Sequence, residues 1–173
     1  ATAIAEICVR LDGVPVAIEL AAARVKLFPP TILLSCLDRR LEVLTQGQRD
    51  RMPRQQTLRA AIDWSYHLLS PSQQQLFNRL AIFAGGCALA AAAAVCNADG
   101  ELGDDLLAEV EALLDHSLLH QSERAGEVWL TMLETLREYA LEQLAQSGDA
   151  DRVRLHHLHY IRALMEEGAK RVE

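Results

Sequence analysis

The histidines come nearest to the spacing of a metal or acid–base site in this sequence. Six are present, and His116 and His120 stand four residues apart, a spacing that would place them on one face of a helix. The stretch 117–121 is instead predicted as a β-strand, which separates the two imidazoles. We therefore do not expect this pair to bind a metal ion.

A second histidine pair stands near the end of the sequence. His156 and His159 lie three residues apart in a predicted helix, and Asp151 and Arg152 are close in sequence. A metal pair is one interpretation, and a solvated polar face is the other. We favour the polar face because no third ligand recurs at helical spacing, as a zinc site would need.

The cysteines and the known catalytic motifs give no active site either. The four cysteines are far apart and form no C-x-x-C pair, so free thiols in a reducing compartment are expected. The sequence contains no phosphate-binding G-x-x-x-x-G-K-[ST] or G-x-G-x-x-G, no zinc-binding H-E-x-x-H and no nucleophile motif G-x-S-x-G. We predict no catalytic residues, no metal site and no enzymatic activity for the chain by itself. The cysteines are Cys8, Cys36, Cys87 and Cys96.

An interrupted helix holds the remaining candidate site. The run from Leu11 to Arg24 is apolar and rich in helix formers, yet it contains Gly13 and Pro15. These two residue types cost roughly 1 and 3 kcal/mol in a helix interior relative to alanine. The break is either a simple turn between two helices or a surface shaped for a ligand.

The composition predicts a mainly α-helical protein. Half of the 173 residues are apolar, but only 5% are aromatic, and alanine and leucine favour packed helices over sheets. No apolar run reaches the roughly 18 residues that a membrane span needs. We expect a cytoplasmic protein without membrane contact. Because both ends look like helix interiors, we also expect a fragment of a longer chain.

The first third of the chain is predicted to form helices followed by a linker. Helices are expected over Ala1–Val9 and from Pro15 to about Lys26, and a short one is expected from a Thr31 cap to Arg39. The polar stretch Thr45–Pro53 is predicted as the linker. The arginines that cluster around it are either solvated or in contact with phosphate or an acidic surface: Arg49, Arg51 and Arg54.

The middle of the chain has the element order of a winged helix. A helix capped by Thr57 precedes it, and Ser70–Gln73 then signals its first helix, which is expected to end at Gly85–Gly86. Two more helices are predicted over 90–96 and from Asp104 onwards. The third should carry its apolar face on Leu106, Leu107, Val110, Leu113 and Leu114.

A small β-hairpin and two helices complete the pattern. Residues 117–121 and 128–131 are predicted to pair around a turn at Ala125–Gly126. A helix should follow from about Leu133 to Gln146, stop at Gly148, and be succeeded by another. Its inward residues should be Leu136, Tyr139, Ala140 and Leu144.

The charge of the predicted winged helix disfavours DNA binding. Residues 58–145 contain four basic and thirteen acidic residues, which leaves a formal charge of −9. Winged helices that read DNA place the third helix in the major groove, where it meets phosphates. Here that helix contains no lysine or arginine. Its acidic residues are Asp104, Asp105, Glu109, Glu111 and Asp115.

Stretches in three parts of the chain together resemble the NB-ARC modules of STAND-class signalling ATPases. Gly13-Val-Pro-Val-Ala17 is similar to their GLPLA motif. The stretches 57–71 and 80–86 resemble the entry to the winged-helix subdomain in large bacterial transcriptional regulators, many with LuxR-type domains. Residues 132–141 resemble the segment that closes it.

This resemblance implies a division and a set of partners. It implies a helical subdomain over 1–52, a winged helix over 53–147 and the start of helical repeats over 148–173. ADP or ATP with Mg would bind in the full-length parent, through an upstream P-loop domain, and none would bind the fragment alone. Gly13 and Pro15 would form the edge that contacts adenine.

One position departs from the family. An MHD-type motif is expected where Met132-Leu133-Glu134 stands, and leucine replaces the histidine that would contact phosphate.

The main interpretation is a switch fragment of a STAND-type transcriptional regulator, which relays nucleotide state through contacts with the P-loop domain and the helical repeats of the same chain. The alternative is a free-standing winged-helix DNA-binding regulator.

Overall fold

The computed structural model describes residues 2–11, 13–36, 53–103 and 105–170. They fall into two compact units. Unit 1 comprises Ala1–Ser70 with Asp115–Ser117, and unit 2 comprises Pro71–Leu114 with Leu118–Glu173. The predicted division at residues 52 and 147 stays a prediction.

Unit 1 is built from short helices around one apolar cluster. Its helices are α1 (Thr2–Arg10), α2 (Pro15–Ala23), a 3₁₀ turn (Arg24–Lys26), α3 (30–36) and α4 (Pro53–His67). Helix α2 packs against α4. The buried members of the cluster are Ile7, Leu11, Ala17, Ala21, Leu33, Ala61 and Trp64.

Two predicted helix starts in unit 1 were wrong. Helix α3 is already helical at residue 30, and the N–H groups of Ile32 and Leu33 donate to the Pro29 carbonyl, so Thr31 is not the cap. Helix α4 begins at Pro53, which leaves Thr57 inside it. In both cases a proline occupies the first turn, where its missing N–H costs nothing. The predicted end at Arg39 and the linker up to residue 52 lie outside the described residues.

Unit 2 contains the predicted winged-helix region from Pro71 onwards and the helix that follows that region. In chain order it consists of α5 (Pro71–Leu80), β1 (Cys87–Ala88), α6 (Leu89–Cys96), α7 (Leu106–Asp115), β2 (His120–Arg124), β3 (Glu127–Thr131), α8 (Glu134–Ser147) and α9 (Ala150–Lys170). Helix α5 packs on α8, and α6 packs on α9. The prediction of a mainly α fold with a small β-hairpin is confirmed.

The sheet has one more strand than predicted. Strands β2 and β3 pair antiparallel, with His120 opposite Thr131 and Arg124 opposite Glu127. The two-residue strand β1 adds to the other side of β3, giving the order β1-β3-β2. A strand this short carries too few residues for a period-2 pattern, so periodicity could not predict it.

Two details of α5 and α7 also differ from prediction. Helix α5 ends at Leu80 rather than at Gly85–Gly86, and a series of turns follows it. Helix α7 is capped by Asp105, whose Oδ1 accepts from the Ala108 N–H at 3.1 Å, while Asp104 lies outside the described residues. Leu107, expected on the apolar face, is 53% exposed.

Helix α8 agrees with its prediction. It spans Glu134–Ser147, and Gly148 ends it in the left-handed conformation with φ 78°, which glycine adopts without a Cβ clash. The four residues predicted to face inward are buried: Leu136, Tyr139, Ala140 and Leu144.

Candidate functional site

The break at Gly13–Pro15 forms a tight elbow between α1 and α2. The Gly13 N–H donates to the Cys8 carbonyl at 3.1 Å, and the Val14 N–H donates to the Leu11 carbonyl at 2.9 Å. Gly13 has φ +65°, a conformation that favours glycine. Pro15 opens α2 at its first turn, so the missing N–H leaves no helical hydrogen bond unmade.

The elbow places Pro15 at the surface of unit 1. Pro15 and Gly13 are exposed, and Val14 and Val16 are half-buried. A Cβ built on Gly13 would meet no heavy atom within 4 Å. The elbow thus presents a rigid apolar edge with open space beside it, which is compatible with a flat ring stacking there. That role in adenine contact stays a prediction.

A buried arginine lies at the other end of α2, and its burial was not predicted from the sequence. Arg24 is 0% exposed, and its Nη2 donates to the Ser65 carbonyl of α4 at 2.9 Å. Burial lowers the pKa of its guanidinium to about 10. Within the described residues, its Nε and Nη1 have no hydrogen-bond partner, and neither does the buried Ser65 hydroxyl.

The outer surface of α7 is acidic and partly apolar. Asp105, Leu107, Ala108 and Glu111 are exposed, whereas Leu106, Val110 and Leu113 are buried. Glu109 is half-buried and accepts a hydrogen bond from the Ser72 hydroxyl at 2.7 Å. The helix thus offers carboxylates and a leucine where a DNA reader would offer cations.

The wing, formed by β2 and β3, carries one exposed arginine. The Arg124 guanidinium lies 4.8 Å from the centre of the Trp129 ring, and the Trp129 Nε1–H donates to the Gly85 carbonyl at 3.3 Å. Glu123 and Glu127 flank Arg124 in sequence and are exposed. One cation between two carboxylates leaves the tip of the wing with no net positive charge.

An ionic cluster joins helices of unit 2, and it too was missed from sequence. Arg79, only 3% exposed, donates to Glu101, to the Cys96 carbonyl at 2.6 Å and to Asp149 at 2.8 Å. Arg152 donates to the same two carboxylates, at 2.6 Å to Glu101 and 2.7 Å to Asp149. The hydrogen bonds to Arg152 and then to Arg79 lower the pKa of Glu101 to about 2.

The histidines considered as metal ligands lie in three segments. His116 lies in the turn after α7 and His120 in β2. On α9, the Nε2 of His156 lies 3.7 Å from Asp99, and His159 is exposed. Within the described residues there is no group of three or more metal-binding side chains.

The four cysteines are free thiols. Cys87 and Cys96 are buried, and Cys8 and Cys36 are half-buried. Burial raises the pKa of Cys87 to about 12 and raises that of Cys96 as well. The two buried thiols are therefore poor nucleophiles near neutral pH.

Leu133, in place of the expected histidine, has a structural position at the start of α8. It is the residue before the helix, with φ −61° and ψ 143°, and its carbonyl accepts from the Arg137 N–H at 2.9 Å. Arg137 also donates to Glu134 at 2.6 Å. An apolar side chain here cannot make the phosphate contact that the resemblance would assign to this place.

Comparison with known proteins supports the winged helix. Residues 69–145 match the family model of a winged helix-turn-helix domain. The order of α5, β1, α6, α7, β2 and β3 within that range is the order such a domain requires. The chain therefore contains a winged-helix domain.

Longer mycobacterial proteins are similar to this chain. A protein of Mycobacterium tuberculosis (strain ATCC 25618 / H37Rv), named "Putative HTH-type transcriptional regulator", is 46% identical over 164 residues, which are 95% of this chain and 18% of that protein. A relative in Mycobacterium bovis with that name gives the same values. An uncharacterized protein of M. tuberculosis H37Rv is 40% identical over 154 residues, covering 88% of this chain and 39% of its own length.

These matches do not support the two interpretations of the sequence equally. The chain spans about a fifth of the length of the relatives that are named as regulators. Their name and the family model support a winged-helix transcriptional regulator, the alternative interpretation, more directly than the STAND one, because neither mentions a nucleotide-binding module. Among the described residues, none of the helices combines the length and apolarity needed to cross a bilayer.

Proposed function

We propose that this chain is the winged-helix part of a transcriptional regulator. The winged-helix match over 69–145 carries this proposal, and the name of the mycobacterial relatives supports it. The proposal covers two modes of action. The domain either contacts DNA itself or contacts protein and so controls DNA binding elsewhere in a longer regulator.

The charge of the winged helix favours the protein-contact mode. A DNA-reading surface neutralises phosphates with lysine and arginine. The exposed surface of α7 carries Asp105 and Glu111 instead, and within its described residues Leu106–Asp115 there is no basic side chain. The exposed Leu107 adds an apolar contact that suits a protein partner better than a phosphate backbone.

The DNA-contact mode is the second candidate, and the relatives' name favours it. Equilibrium titration of the chain into a fluorescently labelled 30-base-pair duplex at about 150 mM salt distinguishes the two. The protein-contact mode predicts a dissociation constant weaker than about 10⁻⁵ M, within the range of non-specific binding. A constant near 10⁻⁸ M for a defined sequence would establish the DNA-contact mode.

A more specific form of the proposal makes unit 1 part of a nucleotide-dependent switch of the STAND type. Its support is the resemblance at Gly13–Ala17 together with the exposed edge at Pro15. An upstream P-loop domain would bind ADP or ATP with Mg, and Pro15 would contact adenine. Apolar residues exposed on unit 1 suit contact with such a domain: Ile4, Val9, Val25, Leu27 and Ile32.

The switch is tested in the longer protein and in this chain. In the longer protein, Pro15→Ala should weaken ADP retention about tenfold, since one apolar contact is worth roughly 1.4 kcal/mol. The chain alone should bind ADP no more tightly than millimolar, because phosphate contacts supply most nucleotide affinity. A micromolar constant for the chain, or unchanged ADP retention in the Pro15→Ala variant, would refute this form and leave the winged-helix proposal intact.

A further inference from the structure

The second half of helix α9 is exposed on every side. Each residue from 161 to 167 is exposed. Helix α9 packs on α6, but its contacts lie in the first half, where Val153 is buried and the His157 ring meets the Phe83 ring edge-on at 5.1 Å between centres. Isolated helices shorter than about 12–15 residues are marginal in water. A contact with another molecule would therefore stabilise the second half of α9.

Apolar side chains form a stripe along the solvent side of this helix. Leu158, Ile161 and Met165 follow the i, i+3, i+7 spacing of one helix face, and Leu155 precedes them by one turn. These four side chains are between 40% and 71% exposed. An exposed apolar patch of this kind marks an interaction surface in a folded protein.

The residues of this face are arranged symmetrically about position 160. Arg154 and Glu166 are equidistant from that position, and so are Leu155 and Met165. Two copies of α9 placed antiparallel would set Arg154 of each copy beside Glu166 of the other, and Leu155 against Met165. A parallel pair would set like charges together. The face is thus complementary to itself in the antiparallel orientation, as a two-fold symmetric interface requires.

The charges beside the stripe remain accessible to a second helix. Arg154 pairs with Asp151 at 3.2 Å, and Glu166 pairs with Arg162 at 2.8 Å. The side chains of Arg154 and Glu166 are nevertheless 59% and 57% exposed, so each can add an ion pair to another molecule. Exposed ion pairs contribute little to affinity, but like charges in their place disfavour the wrong orientation.

We propose that α9 is a dimerisation helix, which pairs antiparallel with α9 of a second copy of this chain about a two-fold axis near position 160. The apolar stripe supplies the contact, and the charges of Arg154 and Glu166 set the orientation. A single pair of helices of this length is a small interface, below the roughly 1,200 Å² of a standard one, so we expect a dissociation constant of about 10⁻⁵ M. The dimer does not depend on whether the winged helix contacts DNA or protein.

Analytical ultracentrifugation of the 173-residue chain tests the dimer. Over concentrations from about 1 to 300 μM, the wild-type chain should pass from monomer to dimer. Leu158→Glu should weaken self-association by at least about tenfold, because it places a carboxylate in the middle of the apolar contact. Leu68→Glu is the matched control, since it makes the same change at an exposed leucine outside α9, and it should leave the association unchanged.

Charge reversal tests the antiparallel orientation. Arg154→Glu alone and Glu166→Arg alone should each weaken self-association severalfold, because each puts like charges together in the homodimer. An equimolar mixture of these two variants should associate like wild type, because every contact between positions 154 and 166 then joins opposite charges. A wild-type chain that stays monomeric to about 300 μM, a dimer unaffected by Leu158→Glu, or a mixture that associates no better than its components would overturn the proposal.

Discussion

The Nε–H of Arg79 donates to Oδ2 of Asp149 over 2.8 Å, which joins two residues 70 positions apart in the sequence. Arg79 lies near the end of α5, and Asp149 immediately precedes α9. Arg152 on the first turn of α9 shares both Asp149 and Glu101 with Arg79. The start of α9 is thereby fixed to the helices of the winged-helix domain by two arginines.

The stability of unit 2 should fall in acid because of this cluster. The folded pKa of Glu101 is about 2, below its ordinary value of 4.5, so the folded state favours the carboxylate. The resulting stabilisation is present above pH 4.5 and is lost as the pH falls through that value towards 2. Urea unfolding between pH 2 and 6 should show a smaller decline for Glu101→Gln than for wild type. An unchanged decline, matching that of the exposed control Glu127→Gln, would show that Glu101 is not the titrating group.

Gly86 and Gly85 form a matched pair for testing the packing of β3. Both have positive φ, at 95° and 82°, so alanine is strained at either position. A Cβ on Gly86 would also overlap the Leu130 carbonyl oxygen and lie 2.8 Å from Trp129 Nε1, whereas a Cβ on Gly85 would meet nothing within 4 Å. Gly86→Ala should lower the unfolding free energy by about 2 kcal/mol more than Gly85→Ala does. Equal losses in chemical denaturation would contradict the described strand packing.

Replacing Ser117 with glycine should make the fold more stable. It is a non-glycine residue with φ +55°, and the Leu118 N–H beyond it donates to the Leu113 carbonyl at 3.0 Å, as in a Schellman helix end. Ser117→Gly should stabilise the fold by about 1 kcal/mol by removing the Cβ strain. Ser117→Ala is the control and should change little, since alanine keeps the Cβ. A destabilised glycine variant in thermal unfolding would mean that residue 117 is not left-handed.

Truncating one leucine on the buried face of α7 and one on its exposed face should have different effects on stability. Leu113 is 0% exposed and Leu107 is 53% exposed. Leu113→Ala should therefore cost about 2–5 kcal/mol of unfolding free energy, and Leu107→Ala should cost under about 0.5 kcal/mol. Comparable losses in the two variants would restore the sequence-based expectation that both leucines face the core.

Periodicity predicted most of the helices because amphipathic spacing and the Gly and Pro signals are local. The buried residues of α8 and its end at Gly148 were predicted in this way. The same approach wrongly placed Leu107 on the buried face. Spacing alone cannot decide whether an apolar residue at the border of an apolar stripe is buried or exposed. The Arg79–Asp149 contact and the burial of Arg24 were not predictable, because they depend on which segments meet in three dimensions. The site residues Gly13 and Pro15 were found from their sequence, and their role stays a prediction.

The salt dependence of duplex binding tests most directly whether the winged helix contacts protein rather than DNA. Affinity is measured from 50 to 200 mM salt for wild type and for Ala108→Lys/Glu111→Lys, which adds cations at two exposed positions of α7. The account predicts weak wild-type binding with a shallow slope of log K against log salt, and tighter binding with a slope steeper by about 2 in the variant. Wild-type binding near 10⁻⁸ M with a slope of about −4 or steeper, weakened by the added lysines, would contradict it.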